Sequence, residues 1–250
     1  KGRYFMSGHS KWHNIQKTKG AADAKRSAAF TKIAKEIIVA VKQGGSGDPA
    51  NNSSLAQVIA KAKSNNMPND TIERSIKKAA GNEEGVEYET VTYEGYGPNG
   101  VAVIVETLTD NRNRTAGDVR HYFDKFGGNL GTSGCVMFMF DKKGIILIEN
   151  DGSLDEEQVM MDALEAGADD VEANEDGFEI TTDPNNVSTV SEALEGMGYA
   201  IAQAEAQFVP QTETALSDEH DILMMNKLIE HLEDNDDVQN VWHNWENPTE

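Results

Sequence analysis

Through residues 26–43 apolar side chains recur every three or four positions: Phe30, Ile33, Ala34, Ile37, Ile38 and Val41. That spacing puts all six on one face of a helix, with Lys32, Lys35 and Lys42 on or near the other side, where solvent or phosphate reaches them. Gly44-Gly45-Ser46-Gly47-Asp48-Pro49 stops the helix, since glycine takes the left-handed cap and proline cannot continue it. A second helix is predicted over about 54–63 on Leu55, Val58, Ile59 and Ala62. A third begins near Asp70, whose carboxylate caps it while Glu73 completes a box-like pair; it buries Ile72 and Ile76 and ends near Gly81. Three short amphipathic helices around one small core make a helical domain.

From residue 88 the period shortens to two. Residues 88–96 and 100–108 read as strands, the second with Val101, Val103 and Val105 on one side, joined by a turn at Gly95-Tyr96-Gly97-Pro98-Asn99-Gly100. A helix over 115–126 follows, with Val119, Tyr122, Phe123 and Phe126 inward, closed by Gly127-Gly128. Then come a strand (144–149), a helix (154–166), a hairpin (170–174 and 177–182), a helix (187–197) and a strand (200–209). This β-α-β-β-α-β order is that of a ferredoxin-like module. After Pro210, residues 212–216 read as a strand returning to the first sheet, 218–233 as a helix and 238–242 as a last strand. The fold class is α+β in three domains: a basic helical domain (6–82) with a flexible N-terminal arm, a middle α/β domain (83–133 with 211–250), and an inserted ferredoxin-like domain (134–210).

Two hundred and fifty residues, 38% hydrophobic and 26% charged, suffice for several cores. No run of about 18 apolar residues occurs, which excludes a spanning helix. Residues 1–5 precede Met6 and read as an appended remnant, with no apolar stretch of a signal peptide. Cys135 is the one cysteine, so no internal disulfide forms and a reducing cytoplasm is expected. The net charge of −21 hides a partition. Residues 1–80 hold 15 of the 22 Lys and Arg and 5 of the 43 Asp and Glu; residues 81–250 hold the other 7 and 38. A basic head on an acidic body points to a polyanion at one end. The acidic surface repels phosphate and so orients the head, or faces a basic protein.

Ahead of the helices, the run from Gly8 to Arg26 carries Lys11, Lys17, Lys19, Lys25 and Arg26, a density that neutralises phosphates, with His9, Ser10 and Trp12 at its start. Trp12 either stacks on unpaired bases or anchors the arm by burial. The arm is expected to be mobile before binding. In the polar turn Ser64-Asn65-Asn66-Met67-Pro68-Asn69, Asn65 and Asn66 either read a base or phosphate or cap helices. Arg112 and Arg114, in Asp110-Asn111-Arg112-Asn113-Arg114, either clamp phosphate or pair with nearby carboxylates beside an Asx-type cap. Phe138 and Phe140 alternate as on a strand and fit core packing, with Cys135 as a buried strand residue. The six histidines are scattered without metal-ligand spacing, and neither a nucleophile elbow nor a phosphate loop occurs. No enzyme, metal or cofactor is expected.

The ordered set Gly8-His9-Ser10-Lys11-Trp12, Asp23-Ala24-Lys25-Arg26, Phe30-Thr31-Lys32-Ile33, Asn65-Asn66-Met67-Pro68, Tyr93-Glu94-Gly95-Tyr96-Gly97-Pro98, Leu108-Thr109-Asp110-Asn111-Arg112-Asn113-Arg114-Thr115 and Met139-Phe140-Asp141-Lys142-Lys143-Gly144 resembles the YebC family. Eukaryotic relatives of that family include the mitochondrial translational activator of cytochrome oxidase. Thr18, Ala21-Ala22 and Asn99 depart from its pattern; at Asn99 a glycine is usual. The resemblance implies the same three-domain layout. It also implies a translation factor bound to ribosomal RNA, with tRNA nearby, that relieves stalls at proline-rich stretches or activates particular messages. A DNA-binding transcriptional regulator is the alternative, and a protein scaffold working through the acidic body a third reading. The nucleic-acid contacts so expected are His9, Ser10, Lys11, Trp12, Lys17, Lys19, Lys25, Arg26, Lys32, Lys35, Asn65, Asn66, Arg112 and Arg114, on a cytoplasmic protein, monomeric and without a membrane partner.

Overall fold

The computed structural model describes residues 23–81, 87–150, 152–174 and 176–246. Its elements in chain order are α1 (Asp23–Gly44), α2 (Ser53–Ser64), α3 (Asn69–Ala80), β1 (Glu89–Tyr96), β2 (Ala102–Thr109), α4 (Arg112–Lys125), β3 (Asn129–Leu130), β4 (Phe140–Glu149), α5 (Glu156–Ala166), β5 (Asp170–Ala173), β6 (Gly177–Thr182), α6 (Val187–Gly196), β7 (Ile201–Pro210), α7 (Glu219–Glu233) and β8 (Val238–His243). The fold is α+β: N-terminal helices, then two four-stranded sheets with helices. Backbone contacts divide it into two compact units, one of residues 21–140 with 210–250 and one holding residues 141–209.

In the first unit, α1 packs against both α2 and α3. Ile33, Ile37, Val41, Leu55, Ala62, Met67, Ile72 and Ala79 are buried together, the face that the periodicity predicts. Buried Asn52 joins α1 to α2. Its Oδ1 accepts the Leu55 N–H at 3.1 Å, capping α2, while its Nδ2 donates to the Ala40 and Ser46 carbonyls at 2.9 Å. Helix α3 departs from expectation: Pro68 is its N-cap and no side chain caps it. Asp70 sits inside the first turn instead, where its charge meets the positive end of the helix dipole.

The unit's sheet has the order β3-β1-β2-β8, antiparallel throughout. Val101, Val103 and Val105 share a core with Val119 and Phe123 of α4 and with Met225, Leu228 and Leu232 of α7. The β1–β2 turn holds Asn99 at φ 51° and Gly100 at φ 82°. Asparagine is among the few residues that tolerate the left-handed region, so Asn99 stands where a glycine would serve. The expected strand over 212–216 is a single parallel bridge, Thr214 to Trp245. Thr214 donates to the Asn244 carbonyl and accepts from Glu246, and the sheet edge beside β1 goes to β3.

A second departure lies before β4. Residues 131–136 form a loop and Met137–Met139 a 3-10 turn. The buried Glu94 carboxylate accepts the N–H groups of Gly134 (2.6 Å), Val136 (2.9 Å) and Met137 (2.8 Å), and the Tyr96 hydroxyl donates to the Cys135 carbonyl at 3.0 Å. Three amides turned onto one carboxylate cannot enter a strand ladder. Cys135 is therefore a half-buried loop residue; Phe140 is buried, but Phe138 is 70% exposed and outside any core.

The second unit runs β4-α5-β5-β6-α6-β7 with sheet order β5-β6-β4-β7 and antiparallel β4–β6 and β5–β6 pairs, the ferredoxin-like arrangement expected. Ile146, Ile148, Phe178 and Ile180 of the sheet pack on Val159 and Ala163 of α5 and Val190 and Leu194 of α6. Gly144 allows this approach: a Cβ there would lie 2.5 Å from Val187 Cγ2 and 2.9 Å from the Asp183 carbonyl.

Glu94→Gln replaces an ionised acceptor of three amides by a group whose NH2 faces donors. It should lower stability by about 2 kcal/mol in urea unfolding, while Phe138→Ser stays within about 0.5 kcal/mol.

Candidate nucleic-acid interface

Ile72, Ser75 and Ala79 of α3 are buried; Arg74, Lys77 and Lys78, at i, i+3 and i+4, all lie exposed on its opposite face. Arg74 bonds locally, to the Asp70 carbonyl and the Thr71 hydroxyl at 3.1 Å, and Lys77 reaches Glu73 at 3.8 Å with both side chains in solvent. Such a pair contributes little and leaves the cations available. This stripe is missing from the contacts expected from the sequence, although its signal, three basic residues half a helical turn from the apolar ones, is visible there. Lys63, at the end of α2, is exposed as well.

Lys32 and Lys35 correct the expectation of open, phosphate-facing lysines. They turn inward to the acidic corner between α7 and β8. Lys32 donates to the Glu233 carbonyl, and Lys35 to the Asp236 carbonyl and to Asp237 Oδ1, both at 2.8 Å. Burial pulls the Lys32 ammonium below the ordinary lysine range, against the opposing pull of Glu233, Asp236 and Asp234. Arg114 donates to Asp110 Oδ1 at 2.8 Å and to Asp237 Oδ2 at 2.6 Å, and the Asn111 side chain caps α4 by accepting the Arg114 N–H at 3.1 Å. For Arg114 the carboxylate-paired alternative is the one observed.

Asp237 gathers these contacts. Burial alone would push its carboxyl up, but bonds from Arg114, Lys35 and the Thr115 hydroxyl (2.8 Å) outweigh that and bring it down to about 2. The open cleft beside it, about 350 Å³, is lined by Asp110, Asp118, Asp236 and Asp237 against Lys35 and Arg114. Its carboxylates outnumber its cations, so it is no phosphate site.

Asn65 is engaged in capping, its Nδ2 donating to the Lys61 carbonyl at 2.8 Å. Asn66 is exposed at φ 57°, and Arg112 and Arg26 are exposed. Lys25 lies in α1, with its side chain outside the description; His9, Ser10, Lys11, Trp12, Lys17 and Lys19, and with them the question of arm mobility, lie outside the described residues. Burial, with the nearby Glu94 charge, pushes the Cys135 thiol up, away from an activated thiolate. Among the described residues, no three His, Cys, Asp or Glu side chains could hold a metal, and no helix is long and apolar enough to cross a membrane.

The fold and its basic helical layer now meet their relatives. The description "TACO1/YebC protein N-terminal domain" matches residues 10–82, and "TACO1/YebC second and third domain" matches residues 88–245. The chain belongs to the TACO1/YebC family. A protein of Ruminiclostridium cellulolyticum named "probable transcriptional regulatory protein" is 60% identical over 98% of each chain. One of the same name from Acetivibrio thermocellus is 61% identical over 96% of this chain and 99% of its own. The crystal structure of a conserved hypothetical protein from Aquifex aeolicus is 45% identical and superposes with a TM-score of 0.82, covering 91% of this chain and 93% of that one.

Asp237 holds its depressed carboxyl in the folded state against an ordinary value of 3.8. Its contribution is complete above pH 3.8 and is lost as pH falls toward 2, worth about 2 kcal/mol at about 1.4 kcal/mol per pH unit. Thermal melts should show Asp237→Asn destabilised at pH 7, with the gap to the parent narrowing between pH 4 and 2 and no narrowing above pH 5.

Proposed function

We propose that the protein is a non-enzymatic, nucleic-acid-binding regulator of gene expression whose basic head holds RNA of the ribosome, with tRNA nearby. The observation that carries this reading is the exposed Arg74–Lys77–Lys78 stripe, within a head that holds 15 of the chain's 22 basic residues. On this reading Lys11, Lys17, Lys19, Lys25 and Arg26 hold phosphates beside that stripe. His9, Ser10 and Trp12 shape the arm, and Asn66 and Arg112 add polar contacts from exposed turns. Lys32 and Lys35 brace the head against the middle domain, and Arg114 holds Asp237 from within that domain. The factor acts by position: ordering substrates at a stalled or regulated ribosome accelerates peptide transfer without an acid or base from the protein. The acidic body, repelled by phosphate, keeps the head turned to the RNA. We assign the head to 6–82, the middle domain to 83–133 with 211–250 and the inserted domain to 134–210, in a cytoplasmic monomer.

A second reading, DNA-binding transcriptional regulator, is favoured by the name its relatives carry and by a local feature. Helix α3 follows α2 after the four residues 65–68, a helix-turn-helix spacing, and turns its basic face outward.

Co-sedimentation with ribosomes over a salt series, with duplex DNA as competitor, tests both. The ribosomal reading expects retention despite excess DNA and weakening with salt. Arg74→Ala/Lys77→Ala/Lys78→Ala should flatten the log–log salt slope by about 2, since each phosphate left without its cation removes about 0.7–0.9. Lys11, Lys17, Lys19 and Lys25 changed together to Glu should abolish binding. Transfer to DNA at low competitor would replace the ribosomal reading by the transcriptional one; binding to neither sinks both.

A further inference from the structure

Residues 144–209 contain no Lys, Arg or His and carry 17 Asp and Glu. Within this strongly acidic module one helix flank is apolar and open. Val159 and Ala163 take the buried face of α5, and Met160, Met161 and Leu164 remain exposed, Met161 by 58% and Leu164 by 53%. Leu164 stands one turn from both methionines, so the three form one flank rather than scattered exceptions. Exposed Glu156, Glu157 and Glu165 share the helix with them. On many proteins lysine and arginine stems cover such side chains while keeping their charge in water; α5 itself has none, and the module's lysines, Lys142 and Lys143, sit on β4.

The charge selects the occupant. A second copy meeting this flank two-fold would bring two modules of 17 carboxylates together. Three side chains also fall short of the roughly 1,200 Å² that a stable interface buries. A basic segment avoids the repulsion, and a short peptide does not need the area of a stable dimer: the acidic field steers it in, and unbranched, polarisable methionines adapt to its apolar face.

We propose that the Met160–Met161–Leu164 flank of α5 docks a basic amphipathic segment of a partner protein, its apolar side chains on these three residues and its Lys and Arg against the surrounding carboxylates. This surface belongs to a different compact unit from helices α1–α3 and does not depend on the polyanion reading.

The test uses the full chain and a fluorescent Lys/Leu amphipathic helical peptide of about 18 residues, followed by anisotropy in ~150 mM salt. Met160→Gln/Met161→Gln/Leu164→Gln should weaken binding by about tenfold or more, since polar amides replace the three apolar side chains that the peptide would cover. A peptide of equal charge with Leu replaced by Ser should bind the parent protein at least about tenfold more weakly. The triple variant should keep its circular dichroism and its ribosome or DNA binding, separating this surface from the head. Equal affinity of parent and variant, or of the two peptides, would overturn the proposal by leaving charge alone as the attraction. So would a parent dimer in sedimentation that the variant loses, since a second copy would then own the flank.

Discussion

One carboxylate joins the helical layer to the sheet it serves. Asp237 closes the corner between α7 and β8, takes Lys35 from α1 on one oxygen and takes Arg114 and Thr115 from α4 on the other. Its backbone carbonyl meanwhile accepts the Leu108 N–H of β2. Helix α1 and the consecutive elements β2 and α4 therefore converge on a group shielded from water, where an unpaired charge would be costly and a fully bonded one is held in place. Removing a partner would leave a buried ion uncompensated, so the corner acts as a unit rather than as separable contacts.

This arrangement divides the basic residues into two populations. Lys32 and Lys35 turn their charge inward, to the carbonyls and the carboxylate of an acidic corner, and the half-exposed Arg114 pairs with the same carboxylate from its other side. Arg74, Lys77 and Lys78 face outward from a helix whose other side is buried. The outward group sets what the head can attract, and the inward group sets how the head is carried. On the proposed reading, the acidic residues of the body restrict a polyanion to the head and leave the ferredoxin-like module to partners of the opposite charge.

Most elements are legible in the sequence because their signals are local. The period of Phe30 to Val41, the hairpin residues around Asn99 and the strand–helix alternation after residue 144 each reside in a short stretch. They reappear as α1, the β1–β2 turn and the ferredoxin-like unit. The failures are equally specific. Cys135 and Phe138 read as strand residues, but Glu94, some 40 positions earlier, pulls the segment into a loop. Residues 212–216 have strand composition, yet their strand pairing is the single bridge from Thr214 to Trp245. For the candidate site, charge density points to the head but does not show which of its basic side chains face solvent. Lys32 and Lys35 look solvent-facing on a helical wheel because a wheel does not show what packs against that side.

The sequence by itself determined the α+β class, the helical and ferredoxin-like segments and the partition of charge, since propensity, periodicity and composition are properties of neighbouring residues. Only the tertiary structure decided which lysines are free, where Phe138 points and which carboxylate binds the head to the sheet. Those outcomes turn on pairs far apart in the chain: Glu94 with the loop before β4, and, more than 100 residues apart, Lys35 with Asp237 and Arg114 with Asp237. A charge that is solvated in the isolated helix becomes a buried tie only when a distant oxygen replaces its water.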